Sequence, residues 1–226
     1  LGLRIAEHYH RLAQRLNERS RAELPSRDLA YLPAESAEGR DYLRDMRFAL
    51  EYARENRRRM MERLKEAVAA RLPGAQFERE VNIHHNYAAR ERHFGREVWV
   101  HRKGATSARA GETGIIPGSM GTASYIVRGL GNPESFESCS HGAGRVLGRM
   151  EACRRLTREQ CDEAMRGIVF EGWRRIGGGS HHGKLAGLWD LEEAPPAYKD
   201  IENVMAAQAD LVEPIVRLRP LGVMKG

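Results

Sequence analysis

The sequence contains few cysteines, only three in 226 residues, and no two of them form a Cys-x-x-Cys pair. Their odd number and their spacing favour a reducing, cytoplasmic setting. A chain of this length can bury most of its apolar surface, so folding requires no disulfide. The sequence also lacks a secretory signal and any apolar run long enough to cross a membrane. We therefore expect no membrane partner.

The chain also lacks an initiator methionine, because it begins Leu1-Gly2-Leu3 and enters a helical pattern at once. This start indicates that the sequence begins inside a longer protein, although processing or trimming would look the same. The net charge is +6, and such a basic balance favours polyanionic partners such as nucleic acid. Arginines on solvated helix faces explain the same charge equally well.

Helical periodicity dominates the first part of the chain. A first amphipathic helix is predicted from apolar residues at helical spacing, namely Ile5, Tyr9, Leu12 and Leu16. A loop follows around residues 23–35. Ser36 is suited to cap a second helix, which Pro73-Gly74 should end. That helix is long for a globular protein, so a kink near Asn56 is compatible with the sequence.

From Phe77 onward glycine becomes frequent and apolar runs become short. Strands are predicted over residues 98–101, 115–116, 124–127 and 214–225. Helices are predicted over residues 157–165, where Thr157 and Gln160 are spaced as a capping box, and from Asp200 to about Leu211. The glycine-rich residues 177–183 predict a surface loop. Together these patterns predict one α+β domain over residues 1–226, with a helical amino-terminal part followed by mixed β-sheets.

Two polar segments contain candidate metal and phosphate ligands. The first, His84-His85-Asn86-Tyr87, places two histidines beside an asparagine, and imidazole suits divalent metals such as Mn, Fe and Zn. A hydrogen-bonded structural role is the alternative for either histidine. The second, residues 101–106, reads His-Arg-Lys-Gly-Ala-Thr and follows an apolar strand. It would suit a phosphate pocket at the strand end, and a basic turn explains it equally well.

Two further segments combine glycine with polar side chains. Residues 114–125 contain three glycines, a proline and several hydroxyls, which let backbone N–H groups and side chains approach a ligand. They match neither a Walker motif nor a GxGxxG fingerprint. Residues 140–145, Ser-His-Gly-Ala-Gly-Arg, leave the ring of His141 accessible, as an imidazole nucleophile at phosphorus requires. A tight turn with a surface histidine is the alternative.

In their order and spacing these four segments, together with the Lys225-Gly226 end, resemble the RtcB family of RNA ligases. The resemblance covers most of residues 82–149 and resumes over residues 194–226. It is looser over residues 29–33 and 38–43. It implies an RtcB-like fold with a glycine-rich nucleotide pocket, and it makes the chain the carboxyl-terminal portion of a longer protein.

The resemblance also implies an activity. RtcB ligases use GTP and Mn(II) to join RNA 3′-phosphate or 2′,3′-cyclic phosphate ends to 5′-hydroxyl ends, in tRNA splicing and RNA repair. The implied partners are tRNA halves or broken RNA ends. The histidine of the family's HGAGR motif becomes guanylated, which makes His141 the implied catalytic nucleophile. GMP then passes to the RNA 3′-phosphate, and the 5′-hydroxyl expels it.

The remaining roles are carried over motif by motif. The resemblance implies one metal ligand in this chain, His85. The implied nucleotide contacts are Asn86, Ser119, Met120, Ser124, Ala143, Gly144, Tyr198 and Lys225. Within that set, the tyrosine would stack near the guanine and the lysine would read the base. The implied contacts with RNA phosphate are Arg102, Lys103 and Arg145.

The sequence departs from the family pattern in several respects, one of them a longer, His/Gly-rich segment over residues 172–189. Ser107 stands where family members usually have arginine, and Leu147-Gly148 departs from the HGAGRxMSR motif. The family's other manganese ligands lie upstream, and an upstream segment or a separate chain would have to supply them. The alternative function is therefore a non-catalytic RNA-end or nucleotide-binding remnant. A metal-dependent phosphatase or cyclic phosphodiesterase is a third hypothesis.

Overall fold

Helices form the first part of the chain, and short strands with short helices form the second. Residues 2–177 and 185–224 are described by a computed structural model. The chain divides into two units, residues 1–87 and 88–226, where the sequence predicted a single domain. Because helices and sheets are both well represented, the predicted α+β class is confirmed.

The first unit consists mainly of the helices α1 (Gly2–Ser20) and α2 (Ala37–Arg71), as predicted. Tyr9 is buried, and its hydroxyl donates to Asp45 Oδ2 at 2.7 Å, which joins the two helices. The Ser36 hydroxyl accepts the backbone N–H of Gly39 at 3.0 Å, so the predicted N-cap is confirmed. The second helix remains helical through Asn56.

The strands that follow form small sheets. Their bounds are β1 (Asn86–His93), β2 (Arg96–Lys103), β3 (Ala105–Ser107), β4 (Thr113–Ile116), β5 (Ser124–Gly129), β6 (Ser138–Ser140), β7 (Val169–Phe170), β8 (Val212–Leu218) and β9 (Gly222–Val223). β1 pairs with β2, and β3 pairs with β6. β5 lies between β4 and β8, and β7 pairs in parallel with β9. The strands predicted over residues 98–101, 115–116 and 124–127 are thus confirmed within β2, β4 and β5.

The core of the second unit lies between the β4-β5-β8 sheet and the helix α5 (Ile201–Ala206). Its large buried side chains are Ile116, Tyr125, Val127, Ile201, Met205 and Val212. Each apolar side chain of this size contributes about 1.5–3 kcal/mol when it is fully buried. Because the core holds the end of β4 and the start of β5, it fixes both ends of the loop over residues 117–123.

The prediction of one carboxyl-terminal strand over residues 214–225 is wrong in extent. β8 ends at Leu218, and Pro220, which has no N–H to donate, precedes the short β9. Pro214 lies within β8 at an irregularity of the pairing, where Val127 faces Pro214 and Ile126 faces Val216. β8 is the outer strand of its sheet, a position that tolerates proline.

The short helices of the second unit carry the predicted caps. Thr157 and Gln160 form the capping box of α4 (Arg158–Ala164), which follows α3 (Arg149–Arg155). Asp200 caps α5, but this helix ends at Ala206 rather than near Leu211. The Gln208 carbonyl accepts the N–H groups of Leu211 and Val212 at 3.0 and 3.2 Å, so a tight turn replaces the predicted last helical turn.

No helix within residues 2–177 and 185–224 is long and apolar enough to cross a membrane. The predicted surface loop over residues 177–183 lies outside the described residues from residue 178 onward, and so does Lys225.

Candidate active site

His141 is half-buried in a turn directly after β6. β6 pairs with β3, and Ser140 faces Ala105. The backbone N–H of His141 donates to the Gly104 carbonyl at 3.4 Å. A Cβ placed at Gly104 would lie 3.9 Å from His141 Nε2, and Gly104 has φ +75°, a conformation that favours glycine. The HRKGAT and HGAGR segments therefore lie side by side, with the imidazole close to the glycine.

The residues after His141 attach the turn to two other motifs. Ala143 N–H donates to the Pro117 carbonyl at 2.9 Å, and the Gly144 carbonyl accepts the N–H of Lys199 at 3.0 Å. A Cβ on Gly142 would lie 3.1 Å from the Pro117 oxygen, so the turn packs directly on the start of the glycine-rich loop. Three of the segments singled out in the sequence thus meet around His141, together with the segment around Tyr198.

Gln208 fixes the residue that precedes the candidate nucleophile. Its side chain is 5% exposed. Its Oε1 accepts the N–H of Ser140 at 3.0 Å, and its Nε2 donates to Ser140 Oγ at 3.0 Å. A buried amide that is satisfied at both ends holds the backbone on the amino-terminal side of the turn.

The glycine-rich loop is shaped by its own hydroxyl groups. Thr122 Oγ1 accepts the N–H of Ser119 at 2.7 Å, and Ser124 Oγ accepts the N–H of Gly118 at 3.2 Å. A Cβ on Gly118 would lie 2.1 Å from the Ala123 oxygen, so only glycine fits there. Both predicted serines are only half-buried. Met120 lies further along, at a small cavity of about 90 Å³ that Trp173 also lines.

Tyr198 is held by a cation and a carboxylate. The Arg145 guanidinium lies over its ring at 4.9 Å, and Arg145 Nη1 donates to its hydroxyl at 3.1 Å. The tyrosine hydroxyl in turn donates to Glu193. Burial and the bond to Glu193 raise the pKa of Tyr198. Arg145 also donates to the carbonyls of Leu147 and Glu192. Each of the three nitrogens of Arg145 thus already has a partner, and the predicted contact with RNA phosphate would have to use a remaining N–H group or displace one of these partners.

Arg102 is buried, with 2% exposure. Its Nη1 and Nη2 donate to the two carboxylate oxygens of Glu91 at 2.6 and 2.9 Å. Its Nε donates to Ser138 Oγ at 2.9 Å, and Nη2 also donates to the Phe136 carbonyl at 3.0 Å. A contact between Arg102 and RNA phosphate would have to displace Glu91. The sequence-based phosphate role of Arg102 is therefore replaced by a buried structural one.

Glu91 gives the second unit a specific acid sensitivity. Burial opposes its charge, but hydrogen bonds from Arg102 and His93 hold its pKa at about 2. Because this pKa lies below the ordinary value of 4.5, the charged carboxylate stabilises the fold at every pH above about 4.5. This stabilisation is lost as the pH falls toward 2. We expect Glu91→Gln to lower the free energy of unfolding at pH 7 by on the order of 2 kcal/mol, and the difference from the unsubstituted protein to shrink between pH 4.5 and pH 2.5.

Chemical denaturation at several pH values measures this difference. Glu213→Gln is the matched control, because Glu213 forms an exposed ion pair with Arg128 at 3.4 Å and such pairs contribute little. A Glu91→Gln deficit that stays constant down to pH 2.5 would contradict the assignment.

Lys103 is the remaining candidate phosphate ligand. Its side chain is exposed next to Gly104, and no hydrogen bond or ion pair joins it to another residue in the described part of the chain. It is thus available to an external anion.

His85 and Asn86 lie in the first unit and are exposed. His84, beside them, contacts Arg57 at 3.3 Å, and burial followed by the charge of Arg57 lowers its pKa. Within residues 2–177 and 185–224 no group of three or more His, Cys, Asp or Glu side chains is placed to hold a metal ion. The described residues therefore do not form a complete manganese site, because such a site needs several protein ligands.

Sequence reasoning missed three residues that support the site, Glu91, Glu193 and Gln208. None of them stands in a glycine-rich motif. Glu193 and Gln208 meet Arg145 and Ser140 from distant parts of the chain, and Glu91 meets Arg102 across the β1–β2 pairing. No local pattern marks such residues, since a single glutamate or glutamine on a strand or turn is normally solvated.

A half-buried histidine in a small-residue turn thus lies beside a hydroxyl-rich glycine loop, and imidazole is one of the side chains that can act as a covalent nucleophile. Comparison with known proteins identifies the family. The family described as tRNA-splicing ligase RtcB matches residues 1–226, and the chain belongs to this family.

Several relatives carry the same name. The RNA-splicing ligase RtcB of Escherichia coli (strain K12) is 44% identical over 232 residues, which cover 100% of this chain and 53% of that protein. The RNA-splicing ligase RtcB of Mycobacterium tuberculosis is 37% identical and is covered over 54% of its length. The tRNA-splicing ligase RtcB of Pyrococcus horikoshii is 33% identical and is covered over 28%. The chain spans about half the length of the first two of these relatives.

Proposed function

We propose that the protein to which this chain belongs is an RNA ligase that joins RNA 3′-phosphate or 2′,3′-cyclic phosphate ends to 5′-hydroxyl ends, in tRNA splicing or RNA repair. GTP and Mn(II) are its proposed cofactors. The observation that carries the proposal is the position of His141, which is half-buried in a turn that contacts the glycine-rich loop through Pro117. The cytoplasmic location stays a prediction.

In the proposed reaction an imidazole nitrogen of His141 attacks the α-phosphorus of GTP. A P–N bond forms, the bond to the β-phosphate oxygen breaks, and pyrophosphate leaves. GMP then passes to an oxygen of the RNA 3′-phosphate, which frees the imidazole. Finally the RNA 5′-hydroxyl attacks this activated phosphorus, loses its proton, and expels GMP. These steps attach a good leaving group, GMP, to the RNA 3′-phosphate. Without it the phosphate is a poor electrophile.

The proposed nucleotide pocket uses Ser119, Met120, Ser124, Ala143 and Gly144 around the turn. Tyr198 is proposed to stack on the guanine with the face that Arg145 does not cover, since the guanidinium lies 4.9 Å over one face only. Asn86 and Lys225 complete the set inferred from the family resemblance.

Mn(II) would neutralise phosphate charge during these steps. His85 is the one proposed ligand in this chain, and further ligands are proposed to come from the part of the RtcB protein that this chain does not span, or from a separate polypeptide.

Labelling with GTP tests the proposal directly. The full-length protein is incubated with GTP labelled at the α-phosphate and with Mn(II), and the expected result is a covalent label that is lost in acid and survives in base, as a P–N bond requires. Ligation of an RNA 3′-phosphate end to a 5′-hydroxyl end should follow. If neither a covalent label nor a joined RNA is detected, the binding-only alternative is supported instead.

Lys103 is expected to contact the RNA rather than GTP. Lys103→Met should weaken RNA binding. The slope of the logarithm of the binding constant against the logarithm of the salt concentration should become shallower by about one, while the rate of guanylylation stays near that of the unsubstituted protein. Filter binding over a salt series measures the slope. Lys65→Met is the matched control, because this lysine is already paired with Glu62 and Glu80. An unchanged salt slope in Lys103→Met would remove the residue from the RNA site.

A further inference from the structure

Glu91 lies at the centre of a cluster of ionisable side chains, three of which are buried. Its side chain is 4% exposed, and so is that of His93, whose Nε2 lies 2.9 Å from Glu91 Oε2. Arg102 and Arg109 approach Glu91 Oε1 at 2.6 and 3.1 Å. Burying such a cluster costs desolvation energy that its mutual attraction only partly offsets. Net stability is therefore a weak explanation for its presence, and a structural constraint is a better one.

The guanidinium of Arg102 connects two strands that flank the candidate nucleophile. Arg102 belongs to β2, and it bonds to Ser138 at the start of β6 at 2.9 Å. Downstream of these residues the same two segments meet again, where His141 donates to the Gly104 carbonyl. The backbone around the imidazole is thus held at both ends of the short β3–β6 pairing.

We propose that Glu91 is a positioning residue, which acts through Arg102 to hold the HRKG segment and β6 in the arrangement that aims the His141 imidazole at GTP. The inference rests on the proposed function of His141. Glu91 itself touches no substrate in this proposal. Its carboxylate orients both terminal nitrogens of the guanidinium, a two-point contact that lysine or glutamine does not reproduce.

Single-turnover guanylylation of the full-length protein tests the proposal. Glu91→Gln and Arg102→Lys should each slow the labelling rate at saturating GTP by about ten- to a hundredfold, the scale expected when a reacting group is displaced by a fraction of an ångström to one ångström. The GTP concentration for half-maximal rate should change by less than about threefold, because the nucleotide contacts are unaltered. The double variant should be no slower than the slower single variant, since both act through one contact.

Two controls separate positioning from loss of stability. Arg109→Ala removes a charge from the same carboxylate without touching β2 or β6, and its rate should equal that of the unsubstituted protein. Cys161→Ala removes a fully buried side chain from α4, so it should lower the melting temperature without slowing the reaction. All rates are measured at a temperature at which every variant is folded by circular dichroism.

The ring resonances of His141, assigned by their loss in His141→Ala, give a readout that does not need activity. Glu91→Gln and Arg102→Lys should shift them, and Cys161→Ala should not. If Glu91→Gln does not fold, Arg102→Lys carries both tests. A folded variant with the unsubstituted rate and unshifted His141 signals would overturn the proposal. If the unsubstituted protein forms no adduct, the proposed function fails, and the His141 signals alone decide whether Glu91 positions the ring.

Discussion

Replacement of His141 by alanine is expected to abolish the covalent GMP adduct, with a loss of at least about a thousandfold in labelling rate, as for removal of other enzymatic nucleophiles. The turn itself should survive, because its backbone is anchored by Gln208, by Pro117 and by Lys199. RNA bearing a 3′-phosphate should no longer be joined. The measurement is the amount of α-labelled GTP bound to the denatured protein.

The matched control is His10→Ala. His10 is a partly exposed histidine of α1 that contacts Gln14 at 2.9 Å, and its loss should leave labelling unchanged. The free energy of unfolding of each variant should lie within about 1 kcal/mol of that of the unsubstituted protein. A label that persists in His141→Ala would refute the nucleophile assignment.

Gly118→Ala is expected to disrupt the glycine-rich loop. The new Cβ would lie 2.1 Å from the Ala123 oxygen and 2.5 Å from Thr122 Oγ1, and the first of these belongs to the backbone and cannot rotate away. The loop must therefore open, at a cost of about 2–4 kcal/mol in the free energy of unfolding. Since Ser119 lies on this loop and Ser124 directly follows it, the affinity for GTP should also fall, by about tenfold or more.

Gly177→Ala provides the comparison, because a Cβ there meets no atom of the described residues within 4 Å. It should change the free energy of unfolding by less than about 1 kcal/mol. Thermal unfolding and equilibrium binding of GTP measure both variants. Equal stability and equal GTP affinity in Gly118→Ala and Gly177→Ala would show that the loop is not packed as described.

The helices were predictable from the sequence because their signals are local. Ser36, Thr157 and Asp200 each cap a helix with a side chain that reaches only two or three residues ahead, so the sequence alone contains the whole interaction. The end of α5 was not predictable in this way. Gln208 turns inward to Ser140, and that partner is distant in the chain.

In the candidate site, too, the local motifs were predictable from the sequence and the partners brought together by folding were not. The motifs pointed to the segments that carry His141 and Ser119, because glycine and hydroxyl residues cluster there, whereas Tyr198 was inferred from the family resemblance alone. The carboxylate partners of Arg102 and Arg145 were not predicted. In the sequence, an arginine in a polar motif looks the same whether it faces solvent or a carboxylate. Only the fold brings Glu91 and Glu193 to them.

The irregularity at Pro214 has a consequence for the protein during its synthesis. β8 is an outer strand, and Ile215, Val216 and Leu218 on it are exposed, so a regular strand here would offer a template on which other chains could assemble. Proline removes one donor from that edge, and the bulge twists the remaining groups out of line. We therefore expect this irregularity to hinder aggregation of newly made chains through this sheet.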